Sequence, residues 1–145
     1  MIGAAAESSA IKAVVAESAH ADLGELWTRF GYVGVRGTWV HWSWGGLMRG
    51  ATWLWTGCAV SDFRPETLIA QISPRPVLII HGEHDNGATT VADAHRLFAA
   101  AQTPKELWIV SGAGHCNAHA LFPETYEERV LAFFDQALHG SERRQ

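Results

Sequence analysis

Two polar residues stand directly after two apolar runs. Asp85 follows Val77-Leu78-Ile79-Ile80 through the turn His81-Gly82-Glu83-His84. His115 follows Leu107-Trp108-Ile109-Val110 through Ser111-Gly112-Ala113-Gly114. A carboxylate and an imidazole are the orienting half of a nucleophilic triad. The carboxylate accepts from one ring nitrogen, holds the tautomer, and stabilises the imidazolium when the other nitrogen takes a proton. Each residue alone has an ordinary explanation: an Asp caps turns, and a loop histidine bonds to backbone. Both together, each closing a buried run, point to acid–base chemistry.

The same residues also invite a metal reading. His81, His84, Asp85, His115 and His119 cluster around the two run ends, and imidazole with carboxylate suits zinc. His115-x-x-x-His119 has the spacing of one helix face, but it lacks the glutamate of a His-Glu-x-x-His site, and Gly114 favours a loop. A metal-dependent hydrolase therefore stands as an alternative. The primary expectation is no metal and no cofactor.

The elements that position the pair follow from the pattern of apolar residues. Val77 to Gly82 is a continuous apolar run ending in glycine, which fits a central parallel strand buried on both faces. Glu106 to Val110 reads as the next strand, and the β-branched run Ile11 to Glu17 as another. Pro65 to Ile72 is a short helix with Pro at its start. Thr89 to Ala101 is a helix with Val91, Ala94, Leu97 and Phe98 on one face. Pro123 to Leu138 carries a stripe of Val130, Phe133, Phe134 and Ala137, with Glu127, Glu128 and Arg129 facing water. Gly3 to Ser9 reads as the last turns of a helix, Ser18 to Arg29 as helix-like, and Gly140 to Gln145 as a frayed tail. Strands alternating with helices mean an α/β fold with a parallel sheet. In such a sheet ligands bind beyond the carboxyl ends of the strands, where Asp85 and His115 fall.

Composition narrows the class. The chain has 145 residues, 48% hydrophobic and 18% charged, with a net charge of −4. These values exclude a disordered or fibrous chain. They also argue against nucleic-acid binding, since no basic run offsets the negative balance. Two distant cysteines, Cys58 and Cys116, do not make a disulfide scaffold. The first residues lack a basic start and an apolar core of a secretory signal, so a cytoplasmic location is expected. Seven tryptophans are present, six of them between Trp27 and Trp55. Thr38 to Val60 is apolar, but it holds His41 and Arg49, and a central Arg costs about 2.5–3.5 kcal/mol in a bilayer. A membrane span is therefore not expected. A helical lid is, with Trp39, Trp42, Trp44, Trp53 and Trp55 lining an apolar pocket or forming an exposed surface for association.

Three stretches together resemble the α/β-hydrolases. Arg75-Pro76-Val77-Leu78-Ile79-Ile80-His81-Gly82-Glu83-His84-Asp85 is similar to their acid-bearing strand. Gly112-Ala113-Gly114-His115 is similar to their catalytic-histidine loop. Ile11 to Ser18 resembles the strand that follows the nucleophile helix. The nearest likeness is to bacterial serine hydrolases of the dienelactone-hydrolase and serine-aminopeptidase kind. The resemblance spans nearly the whole chain outside about Leu26 to Asp62. It implies that Asp85 is the triad acid and His115 the general base. It implies a small-molecule ester or amide substrate.

The nucleophile of that family sits in a Gly-x-Ser-x-Gly turn between a strand and a helix, and no such pentapeptide occurs here. On the resemblance, the missing turn is expected just before Met1. Ser43, in His41-Trp42-Ser43-Trp44-Gly45-Gly46, has the right order relative to Asp85 and His115. However, His41 occupies a position that needs glycine, and no strand precedes it. Ser8, Ser9 and Ser18 have no such turn either. The expectation is thus the C-terminal half of an α/β-hydrolase sheet in one partial domain. Residues 1–25 supply a core strand and its flanks, 26–64 a Trp-rich lid insertion, and 65–145 the acid and histidine strands. As it stands the chain is expected to be inactive, and a non-catalytic binding module is the alternative.

Overall fold

Every residue of β2 (Val77–Gly82) is buried, as a continuous apolar run requires when helices cover both faces of a sheet. In this computed structural model, which describes residues 1–25, 38–59 and 62–139 (backbone alone over 38–45), β2 lies between β1 (Val14–Glu17) and β3 (Lys105–Val110). All pairing is parallel. Val14 to Glu17 lie opposite Val77 to Ile80, and Val77 to Gly82 lie opposite Lys105 to Val110. The α/β class and the parallel sheet are as expected.

Alternation along the strands splits the core into two layers. Val14, Ala16, Val77 and Ile79 pack with Ile2 and Ala5 of α1 (Ile2–Glu7), with Ile69 and Ile72, and with Ala94 and Leu97 of α4 (Val91–Ala100). Leu78, Ile80 and Val110 pack on the other face with Ala113, Ala118 and Phe133 of α6 (Pro123–His139). Between α6 and β3 lies the short α5 (Ala118–Leu121).

Several boundaries move, each for a local reason. The first strand begins at Val14 rather than Ile11, because the Ile11 and Ser8 carbonyls instead accept from Arg75 Nη1 at 2.9 and 2.8 Å. The helix expected from Pro65 is α3 (Pro65–Leu68) continued by a 3-10 turn, Ile69–Ile72. The α4 helix starts at Val91, not Thr89, because Thr90 and Asp93 form a reciprocal capping box. Thr89 is left outside the helix. The third strand begins one residue early, at Lys105, whose Nζ donates to the Phe98 and Ala101 carbonyls at 2.7 and 2.8 Å. On α6 Phe133 is buried, and Val130, Phe134 and Ala137 are half-buried. Arg129 is exposed, yet it lies 4.9 Å over the Trp108 ring.

The apolar stretch that begins at Thr38 forms a helix, α2 (Thr38–Thr56). Near its end Trp53, Leu54 and Trp55 are consecutive and 58%, 81% and 91% exposed. At about 100° per residue, three neighbours point three ways, so no single packing face arises. Ahead of it, a helical turn at 23–25 follows Asp22, whose Oδ1 accepts from the Gly24 N–H at 2.7 Å. The remainder of the helix expected to Arg29, Trp27, and the tail at 140–145 lie outside the described residues, as do the side chains of Trp39, Trp42 and Trp44. Among the described residues no helix is long and apolar enough to cross a membrane. Cys58 and Cys116 are free thiols, both exposed.

Candidate active site

The adjacency of β2 and β3 brings the turns after them together, and glycine permits the approach. A Cβ at Gly82 would collide with the carbonyl oxygens of Ala113 and Gly114. The turns are then stitched by backbone. The Glu83 N–H donates to the Val110 carbonyl at 2.9 Å and the His84 N–H to the Ala113 carbonyl at 2.8 Å. The Glu83 carboxylate accepts from Ser111 Oγ at 2.7 Å and from the Gly112 N–H at 3.1 Å. Those two bonds, the Ser111 one first, hold its carboxyl below the usual range. Gly112 turns at φ +74°, a conformation glycine adopts without penalty.

Asp85 and His115 meet at this junction. Asp85 is 3% exposed, and its Oδ2 lies 2.8 Å from His115 Nδ1. The imidazole side chain is 51% exposed. An ionised carboxylate only accepts, so Nδ1 carries the proton and Nε2 keeps its lone pair. Thr89 Oγ1 donates to the same Oδ2 at 2.6 Å and lies 3.2 Å from His115 Nδ1. Burial pushes the Asp85 carboxyl up. The bonds from Thr89 and His115, helped by the charges of His115 and His81, outweigh it, and the net direction is down.

Two further side chains complete the surroundings. His81 is fully buried, with Nε2 3.4 Å from Asp85 Oδ2. Burial, the largest influence, lowers its pKa against the raising effect of Asp85 and Asp93. Ser18, at the end of β1, donates its N–H to the Ile80 carbonyl at 3.0 Å, and its Oγ accepts from the Cys116 N–H at 3.1 Å. Both Ser18 and Cys116 have positive φ, +46° and +49°, uncommon for residues with a Cβ. The bond between them ties the residue after His115 to the edge of the sheet. Nearby, Tyr126 donates to Glu17 Oε2 at 2.9 Å, and burial, with that bond, pushes the phenol up to about 12.

Sequence reasoning singled out Asp85 and His115, and these two are in contact. It placed Thr89 at the start of a helix and weighed Ser18 only as a nucleophile, so neither contact made here was foreseen. The signal for Thr89 was the Thr90-x-x-Asp93 capping box, which starts the helix one residue later and frees Thr89 for the turn. Ser18 carried no such signal, since its positive φ is a tertiary property. Of the residues in the metal reading, His81 and His115 both meet Asp85, while His84 and His119 are engaged elsewhere or exposed. His84 is exposed, and His119 pairs with Glu127 Oε1 at 3.1 Å and stacks edgewise on Tyr126. Among the described residues no three His, Cys, Asp or Glu side chains are arranged to hold a metal ion. Ser43 falls inside α2, not at a strand-to-helix turn, and its side chain lies outside the described residues.

The parallel three-stranded sheet with its flanking helices has the fold of part of an α/β-hydrolase, as solved structures show. The chain is similar to the structure of the hypothetical protein PA2218 of Pseudomonas aeruginosa, with a TM-score of 0.66 and 21% identity, covering 94% of this chain and 57% of that one. It is similar to the α/β hydrolase GrgF of Penicillium sp. sh18, with a TM-score of 0.65 and 19% identity, covering 95% and 60%. It is also similar to the Pyrococcus furiosus esterase PF2001, with a TM-score of 0.63 and 21% identity, covering 94% and 49%. In sequence, 72 residues are 42% identical to PA2218, half of this chain but 19% of that uncharacterized protein. The chain thus spans about half the length of its structural neighbours and less of its curated relatives. No family model matches it.

Proposed function

We propose that Asp85 and His115 are the acid and general base of an acyl-transfer hydrolase site of the Ser-His-Asp kind, acting on a small-molecule ester or amide. The observation that carries this reading is the 2.8 Å contact between a buried Asp85 Oδ2 and the Nδ1 of a half-exposed His115. In the reaction, His115 Nε2 takes the proton of the attacking hydroxyl as its oxygen bonds to the substrate carbonyl carbon. It returns that proton to the leaving group as the acyl–leaving-group bond breaks. Asp85 holds Nδ1–H throughout and stabilises the transient imidazolium. On this reading residues 1–145 form one partial hydrolase domain, in which 26–64 is a lid insertion. The chain works in a cytoplasmic setting, and the exposed tryptophans of α2 provide a surface for association.

A second reading, a non-catalytic binding module, is favoured by one observation: among the described residues no serine hydroxyl bonds to the His115 ring. The two readings are separated by slow hydrolysis of p-nitrophenyl acetate, an activated ester that an oriented imidazole attacks without a serine. Serine-type hydrolysis is still not expected of a chain without a Gly-x-Ser-x-Gly turn, but the catalytic reading expects the oriented imidazole alone to exceed free imidazole, with turnover lost in His115→Ala and lowered in Asp85→Asn, and no serine labelled by a fluorophosphonate. Turnover that survives His115→Ala overturns the assignment of the base. Turnover no better than free imidazole favours the binding module.

A further inference from the structure

His81 is a polar residue in a place built for an apolar one. It lies on the middle strand, opposite Ile109 of β3 and one residue beyond the last pair with β1, on the same face as Val77 and Ile79, whose neighbours include Ala94 and Leu97. An isoleucine or leucine would continue that layer. Instead the imidazole is 0% exposed, and neither ring nitrogen has a hydrogen-bond partner among the described residues. A buried polar group without a partner is destabilising, so ordinary packing does not account for it. One neighbour does. Its Nε2 lies 3.4 Å from Asp85 Oδ2, long and oblique for a hydrogen bond but within charge-contact range. Asp85 Oδ1, also buried, has no partner.

We infer that His81 is a positioning residue, the second imidazole N–H donor to Asp85, so that the acid is held between two histidines. This rests on the reading of Asp85 and His115 as acid and base. An acceptor-only carboxylate facing Nε2 requires a proton on that nitrogen, because two lone pairs at this distance would repel. The ring is neutral in this role: burial favours the uncharged form over the pull of Asp85, Asp93 and Glu17, and the charge of His115 acts in the same sense as burial. Thr89 Oγ1, His115 Nδ1 and His81 Nε2 thus converge on one oxygen. Hydrogen bonds in unliganded sites are often long and tighten during reaction. His81 sits where such tightening restrains the carboxylate and shares its charge with His115.

Imidazole NMR of the 15N-labelled chain tests this. The neutral His81 ring is expected as the Nε2–H tautomer, and its signals move in Asp85→Asn. In His81→Leu one donor to Oδ2 is gone, so the His115 Nδ1–H···Oδ2 bond strengthens and its proton shifts downfield. His81→Gln, which returns an N–H donor, moves it back. A His81→Leu variant with an unchanged thermal midpoint and an unmoved His115 proton overturns the inference. Should that variant not fold, the wild-type ring decides: an Nδ1–H tautomer, or signals indifferent to Asp85→Asn, overturns it. A His115 Nδ1–H signal indifferent to Asp85→Asn is a different result, one that removes the Asp85–His115 pair itself.

Discussion

Thr89 donates its hydroxyl to Asp85 Oδ2 at 2.6 Å, the same oxygen that faces His115 Nδ1 at 2.8 Å. The two donors fix the carboxylate from two sides, one from the turn before α4 and one from the turn after β3. The hydroxyl has a single proton, given to Asp85. Its oxygen therefore remains free to face the His115 Nδ1–H at 3.2 Å, and the three groups close a small ring of polar contacts, buried at Thr89 and Asp85 and open to solvent at His115.

Thr89→Val keeps the shape of this side chain and removes the hydroxyl. The expected loss is about 1.5–3 kcal/mol, the range for a hydrogen bond to a charged group. The Asp85 carboxyl rises towards its ordinary value. Urea unfolding of both proteins at neutral pH measures the first effect. Equal midpoints would show that the Thr89 bond contributes nothing.

Gly82→Ala drives a Cβ into the backbone of Ala113 and Gly114. Backbone cannot swing aside as a flexible side chain does, so the two turns must separate. A cost of about 1–3 kcal/mol is expected. Gly87→Ala serves as the control, because nothing lies within 4 Å of a Cβ there. Its effect is expected within about 0.5 kcal/mol. Thermal or urea unfolding compares them, and similar losses in both variants would contradict the close-approach argument.

Ser18→Ala removes the acceptor for the Cys116 N–H. Both residue types bear a Cβ, so the positive φ is no more strained in the variant. The expected loss is about 1 kcal/mol, and it is local. Amide hydrogen exchange at Cys116 reads it directly: exchange accelerates in Ser18→Ala while the amides of β2 keep their protection. Unchanged exchange at Cys116 would mean that the loop is held by other bonds.

Acid lowers the stability in two windows. His81 has a folded pKa below its unfolded value of 6.5. Below that value the unfolded chain binds a proton that the folded chain refuses, so stability falls as the pH drops from there towards the folded pKa. Asp85 is also lowered, from 3.8. Its contribution is complete above that value and is lost as the pH falls through the lower folded pKa. Thermal midpoints from pH 7 downward follow both windows. In His81→Leu the upper fall is expected to flatten relative to wild type, and the lower one to persist. Parallel profiles would remove His81 from the upper window.

Much of this molecule is legible in its sequence. The run Val77 to Gly82 announced a strand buried on both faces, since only a strand covered by two layers tolerates apolar residues at both parities. The stripe on α6 located its packing face from the helical period. Asp85 and His115 stood out because each polar residue closes a strand-like run, which places it at the carboxyl end of the sheet. The packing face of α2 was not legible for a related reason: its tryptophans and glycines have no period, so nothing in their spacing distinguishes one face from another.

The sequence by itself determined the class of fold and the two residues that face each other across it, because alternation, turn glycines and caps act over a few residues and leave a readable pattern. Only the tertiary structure decided how the acid is held. Thr89, Ser18 and His81 come from a helix approach, an edge strand and a central strand. Their roles depend on β1, β2 and β3 being neighbours and on a glycine that lets two backbones touch. Such contacts join residues distant in the chain, Ser18 with Cys116 above all, and no local pattern records which distant partner a hydroxyl or a ring nitrogen will meet.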